Sequence, residues 1–202
     1  MEASEATPTR RYRMQARAES AAATRRSIAD AWLALYEELH YDDITLDVVA
    51  ERSDVTVQTV IRHFGSKEEL FLAVTRELAA AETLRRAAAP IGDVDGAVRN
   101  VVAHYERVGD RVLRTLEQED RFPAIRDLAA TGRRIHYDWV ERAFAPFIDS
   151  VTGPVRRRRR AQLVALTDVY VWKLLRRDAG LGRRPTEIAM TELVTALVNG
   201  DT

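Results

Sequence analysis

The run 55–70, V-T-V-Q-T-V-I-R-H-F-G-S-K-E-E-L, gathers Thr56, Val57, Gln58, Thr59, Arg62, His63 and Lys67. Their chemistry is hydrogen bonding and cation contact, not bond making. A Gln amide can bond twice to the N6/N7 edge of an adenine, and a Val methyl can rest on a thymine methyl. Threonine hydroxyls, a guanidinium, an imidazole and an ammonium can hold phosphate oxygens. Val57 and Gln58 are therefore the candidates for base contact. Thr56, Thr59, Arg62, His63 and Lys67, joined by Arg25 and Thr45 upstream, are the candidates for positioning on phosphates. Lys67 also falls in the first turn of the next helix, where free N–H groups favour an anion.

Reactive constellations are missing from the sequence. There is no nucleophile elbow, no phosphate-cradling glycine loop and no dinucleotide fingerprint. Glu37 and His40 form one Glu-x-x-His pair, but a di-iron bundle needs a second copy and two more carboxylates. No catalytic residue, metal or cofactor is expected. The chain has no cysteine, so disulfide and thiolate chemistry are excluded and a reducing cytoplasm is the natural setting. No apolar signal core opens it and no apolar run approaches ~18 residues, so neither secretion nor membrane spanning is expected.

The elements that must carry these side chains are helical. Ala, Leu, Arg and Glu dominate the 202 residues, and strand-like alternation is scarce. Ile28, Ala31, Trp32, Leu35, Tyr36 and Leu39 make an apolar stripe on a helix over 24–39. Thr45 caps a short second helix with Leu46, Val49 and Ala50 inward. Ser53, Asp54 and Val55 form a tight turn. A third helix over 56–64 keeps Val60 and Phe64 inward and ends at Gly65. Ser66 and Glu69 then form a capping box for a long helix reaching about residue 88. Two short helices joined by a tight turn, the second of them polar, are the layout of a helix-turn-helix. Further helices are expected over 94–108, 110–119, 123–147, 155–177 and 186–199, so the fold class is all-α. The domains read as a flexible basic arm over 1–23, a DNA-binding head over 24–66 and a helical second domain over 67–202.

Charge does not advertise a nucleic-acid partner. The whole chain is neutral, and its first 67 residues carry nine Lys and Arg against eleven Asp and Glu, a net of −2. The signs are segregated, however. Acids crowd into 30–54, and bases sit in 10–26 and 62–67. Counterion release depends on those local contacts and not on the total. The basic run Arg156 to Arg160 wraps more than a helical turn, so it reads as the solvated opening of a helix.

Residues 24–78 resemble the DNA-binding head of tetracycline-repressor (TetR) family transcription regulators. The likeness rests on the apolar helix 28–39, Tyr41 before Thr45, Val49-Ala50, Val55-Thr56, Thr59, Arg62-His63-Phe64 and Gly65-Ser66-Lys67-Glu68-Glu69-Leu70. Two positions depart from the family pattern. Asp54 replaces the usual turn glycine, and Asp tolerates the left-handed conformation. Ile61 replaces a Tyr that commonly touches the DNA backbone. The resemblance implies a homodimeric, double-stranded-DNA-binding regulator, most often a repressor, released from a palindromic operator by a small-molecule effector. Effector binding would shift the helix over 66–88 and change the spacing of the two recognition helices.

The second domain offers His104, Tyr105, Phe122, His136, Trp139, Tyr170 and Trp172 as pocket candidates, since apolar walls with a few polar tips suit a small molecule. Leu163, Leu166, Tyr170 and Leu174 on one helix and Leu193 and Leu197 on the last are candidates for a dimer interface. The same stripes could instead be buried within one chain. The competing readings are a helical-bundle enzyme or metal carrier, which stoichiometric metal would favour, and a partner-binding helical protein without DNA function.

Overall fold

The computed structural model describes residues 7–200, with side chains from residue 12. Every regular element among these residues is helical. The molecule divides into two units, Met1–Thr75 and Arg76–Thr202.

The first unit is built on α1, Thr7–Glu38. Its stripe of Ile28, Ala31, Trp32, Leu35 and Tyr36 is buried, as the 3.6-residue period requires. The helix starts at Thr7 and not near residue 24, so the segment expected as a flexible arm is helical where it is described. A 3-10 turn, Tyr41–Asp43, leads to α2, Leu46–Arg52, and α3, Val57–Phe64. Next comes α4, Lys67–Ala87, which contributes residues to both units. The unit boundary therefore lies within α4 and not at residue 66, because Leu70, Phe71 and Val74 are core residues like those of α1. Phe71 meets Trp32, Tyr36 and Tyr41 with ring centroids 6.1, 6.0 and 5.3 Å away.

The second unit is organised around α5, Val94–Gln118. It packs on α6, Pro123–Ala143, and on the last helix of the fold. Between these lie α7, Ala145–Asp149, α8, Gly153–Leu166, and α9, Val169–Lys173. A π-helical turn, Leu174–Asp178, follows, and α10, Arg183–Asn199, ends the fold. The expected break at Gly109 does not occur. Gly109 stays inside α5 because Trp172 packs there, and a Cβ would come within 2.6 Å of its ring. The expected helix over 155–177 is in fact two, since Asp168 accepts from Tyr170 N at 3.0 Å and starts α9 afresh. Arg159, expected among solvated residues, is 3% exposed.

Candidate nucleic-acid interface and a buried polar cluster

The geometry of α3 follows from its ends. Asp54 sits at φ +54°, the left-handed conformation the turn requires. Val55 N then donates to Ala50 O at 3.0 Å. Thr56 caps α3, its hydroxyl accepting from Thr59 N at 3.2 Å and lying 3.0 Å from the Thr59 hydroxyl. Thr45 caps α2 in the same way, accepting from Val48 N at 3.3 Å. At the far end Gly65 adopts φ +85°, and a Cβ there would overlap the Glu69 carboxylate. That carboxylate is needed, since Ser66 N donates to Glu69 Oε2 at 3.0 Å and Glu69 N to Ser66 Oγ at 3.1 Å. The expected capping box is present in both directions.

With both ends fixed, α3 has two distinct faces. Val60 and Phe64 are buried, while Gln58, Ile61 and Arg62 are exposed at i, i+3 and i+4. Val57, Thr59 and His63 are half-buried at the edges of this stripe, and Thr56 and Thr45 are exposed. The exposed stripe is a mixed surface of one amide, one alkyl group and one guanidinium, the donor and apolar set that a major-groove reader uses.

Two of the phosphate-positioning candidates, Arg25 and Lys67, also make contacts inside the head. Arg25 Nη1 donates to His63 O at 3.0 Å, and its guanidinium lies 4.1 Å from the Phe64 ring centroid. The last turn of α3 has carbonyls without helical partners, and Arg25 supplies a donor there. Lys67 Nζ donates to Tyr41 O at 2.5 Å and lies 4.2 Å from the centroid of that ring. Burial holds the Lys67 pKa below its ordinary value, while burial and the carboxylates of Glu68 and Asp42 push Tyr41 up to about 12. Arg52 is ion-paired with Glu38 at 2.7 Å.

The pocket candidates of the second unit do not form one set. His104, Tyr105, His136, Trp139 and Trp172 lie in its interior. Tyr170 is 54% exposed, because residues two apart on a helix face opposite sides and α9 buries Val169 and Trp172. Phe122 sits at the N-cap of α6 beside Arg121. Among the dimer candidates, Leu163 is 0% exposed and belongs to the core, so it cannot meet a partner. Leu166 and Leu197 lean on that core, whereas Leu174 and Leu193 are 58% and 44% exposed.

Around the interior histidines lies a polar cluster that the sequence does not announce. Glu82 and Arg86 are 6% and 5% exposed. Arg107 grips Glu82 through Nε–Oε1 at 3.2 Å and Nη2–Oε2 at 2.9 Å, Arg85 contacts Oε1, and His104 Nδ1 lies 3.0 Å from Oε2. Burial opposes ionisation of Glu82, but the Arg107 and His104 bonds outweigh it and hold the carboxyl at about 2. Arg86 Nη2 lies 2.8 Å from His136 Nδ1, and the other imidazole nitrogen faces Val164 O at 3.3 Å. Burial and the Arg86 charge hold His136 at about 3 and His104 at about 4. The Tyr105 hydroxyl donates to Thr167 O at 3.1 Å, and burial raises its pKa. Glu82, Arg85 and Arg86 escaped notice because a Glu-x-x-Arg-Arg pattern on a long helix reads as a solvated face.

Comparison with known proteins agrees with the geometry. Residues 28–74 match the family model described as bacterial regulatory proteins, tetR family. No curated protein sequence matches the chain. Among solved structures, a transcriptional regulator from Rhodococcus sp. Rha1 is similar at 17% identity, covering 87% of this chain and 96% of that one with a TM-score of 0.67. The SmeT–triclosan complex is similar at 18% identity, covering 86% and 90% with a TM-score of 0.65. At these identities the structures establish the fold, and the head match supplies the function of that fold. Residues 28–74 form the DNA-binding head described for bacterial regulatory proteins of the tetR family, and the chain is a DNA-binding transcriptional regulator.

Proposed function

We propose that this regulator is a homodimeric repressor that places α3 of each subunit in successive major grooves of a palindromic operator and leaves it when a small molecule binds the second unit. The observation that carries the reading is the exposed stripe Gln58, Ile61 and Arg62 on a helix whose opposite face, Val60 and Phe64, is buried. Gln58 and Val57 make the base contacts in this reading. Arg62, His63, Thr45, Thr56 and Thr59 position the helix on phosphates. Ile61 offers the backbone no hydrogen bond, so more of the positioning falls on Arg62. Dimerisation uses the apolar side chains left in solvent after Val169, namely Tyr170, Leu174, Ile188 and Leu193. One short recognition helix binds DNA weakly by itself, and a two-fold pair doubles the contacts. The effector is an apolar or amphipathic compound, taken within the second unit and coupled to the head through α4, and the setting is the cytoplasm.

Operator selection from random duplexes tests this reading. The expected product is an inverted repeat with half-sites about one helical turn apart, bound by two chains per duplex. Failure to enrich any sequence at low salt would overturn it.

A further inference from the structure

Arg86 is a buried cation with no carboxylate bonded to it among the described residues. It is 5% exposed, and its guanidinium lies 4.7 Å from the Trp139 ring centroid. Nη2 is taken by His136, while Nε has no hydrogen-bond partner among the described residues. Trp139 is 4% exposed, and its indole Nε1 likewise has no partner among those residues. An arginine cannot shed its proton to escape burial. Glu82 acts on it only through space, because Arg107, Arg85 and His104 already occupy that carboxylate. Arg142 worsens the balance. Its guanidinium donates to Arg86 O at 2.9 Å and Ala89 O at 3.1 Å, bringing a second positive charge close by. His136 faces Arg86 through a nitrogen that accepts, so it is neutral and contributes no counter-charge.

A buried guanidinium is tolerated when an anion completes it. Here two N–H donors on neighbouring, tightly buried side chains stand without acceptors among the described residues. The surrounding surface is aromatic, with Phe144 5.7 Å from Trp139 and Tyr105 within electrostatic reach of Arg86. We propose that Arg86 and Trp139 form the anion end of an effector site that takes an apolar monocarboxylic acid, its carboxylate accepting from Arg86 Nε–H and Trp139 Nε1–H. This rests on the reading of an effector-released regulator and narrows its ligand to an organic acid. Two buried donors select by charge and hydrogen bonding together, so a neutral isostere leaves the guanidinium without a counter-charge as before.

The test uses the full chain with benzoate, 3-phenylpropionate and decanoate, each beside its primary amide. Binding is read by calorimetry and by melting temperature at fixed chloride. The expected result is that at least one acid binds and raises the melting temperature while its amide does not. Arg86→Met should weaken that acid by about tenfold or more, and Trp139→Phe by several-fold. Arg86→Met without ligand should melt at or above the parent, since it removes an uncompensated charge. Amides as effective as acids, no binding by any of the six compounds, or unchanged acid affinity in Arg86→Met would overturn the proposal. So would a ligand-free Arg86→Met protein that melts well below the parent, because Arg86 would then be a structural cation. The selected operator duplex separates this from the release reading. An acid that binds through Arg86 but leaves the DNA complex intact keeps the site and defeats release by it. A neutral compound that frees the DNA while no acid binds keeps release and defeats the site.

Discussion

Lowering the pH from 7 to 5 should destabilise the second unit through His136 and His104. Both imidazoles are held neutral in the fold, first by burial and then by Arg86, with pKa values of about 3 and about 4. In the unfolded chain they protonate near pH ~6.5. Below that pH the unfolded state binds more protons than the folded one, so stability falls with falling pH until the folded imidazoles themselves protonate. The window therefore runs from about 6.5 down to about 3–4. Across pH 7 to 5, each imidazole removes about 2 kcal/mol of stability, or about 4 kcal/mol for the pair. Glu82 lies outside this interval. Its depressed pKa of about 2 contributes stability that is intact down to about pH 4.5 and lost only below it.

His136→Gln isolates one of the two. Glutamine can still offer Arg86 an acceptor and Thr167 a partner, but it does not titrate. Urea unfolding at pH 7 and 5, followed by tryptophan fluorescence, reports mainly on this unit, because Trp139 and Trp172 lie there and Trp32 does not. The parent should lose about 2 kcal/mol more than His136→Gln between the two pH values. Equal losses in the two proteins would show that His136 is not held neutral by its surroundings, and the account of its burial beside Arg86 would be wrong.

Three further outcomes follow from the geometry. Gln58→Ala should relax base preference at one position of each half-site, by about 1–3 kcal/mol; a repeated operator selection that returns the parental motif would refute the contact. Lys67→Met should lower stability by about 1–2 kcal/mol, through loss of the Tyr41 carbonyl bond and ring contact of a half-buried ammonium. If Lys67→Met instead melts like the parent and flattens the salt dependence of DNA binding by one phosphate contact, the ammonium serves DNA and not the head. Leu193→Glu should yield monomers in sedimentation at micromolar protein, and persistence of a dimer would move the interface away from α10.

What the sequence disclosed and what it concealed divide along a physical line. The head was legible because its signals are local: an i, i+3, i+4 stripe over 28–36, caps at Thr45 and Thr56, a left-handed Asp54 and a reciprocal Ser66–Glu69 box. Each rests on neighbours within four positions. The second unit depends on pairings such as Arg86 with His136, 50 residues apart, and Arg176 with Glu106, 70 apart. No local period announces these. The same limit explains Leu163 and Tyr170. Both lie on apolar stripes, and only packing decides that the first is core and the second is surface.

The head's charge now has a sharper meaning. The net of −2 over the first 67 residues, arm included, is a total over side chains with different occupations. Arg25, Arg52 and Lys67 are held by His63 O, Glu38 and Tyr41 O, so three of its bases serve the fold. Among the described residues, the exposed bases without such a tie are Arg13, Arg17, Arg26 and Arg62. Attraction to a polyanion acts through such exposed groups, because counterions are released only where a cation meets a phosphate. A neutral protein with an acidic head can therefore bind DNA if few cations are well placed. The expected consequence is a modest non-specific affinity. With little charge to hold it on arbitrary sequence, the proposed operator contacts of α3 would have to supply the discrimination, from an exposed stripe in which Gln58 and Arg62 neighbour an isoleucine that offers no hydrogen bond.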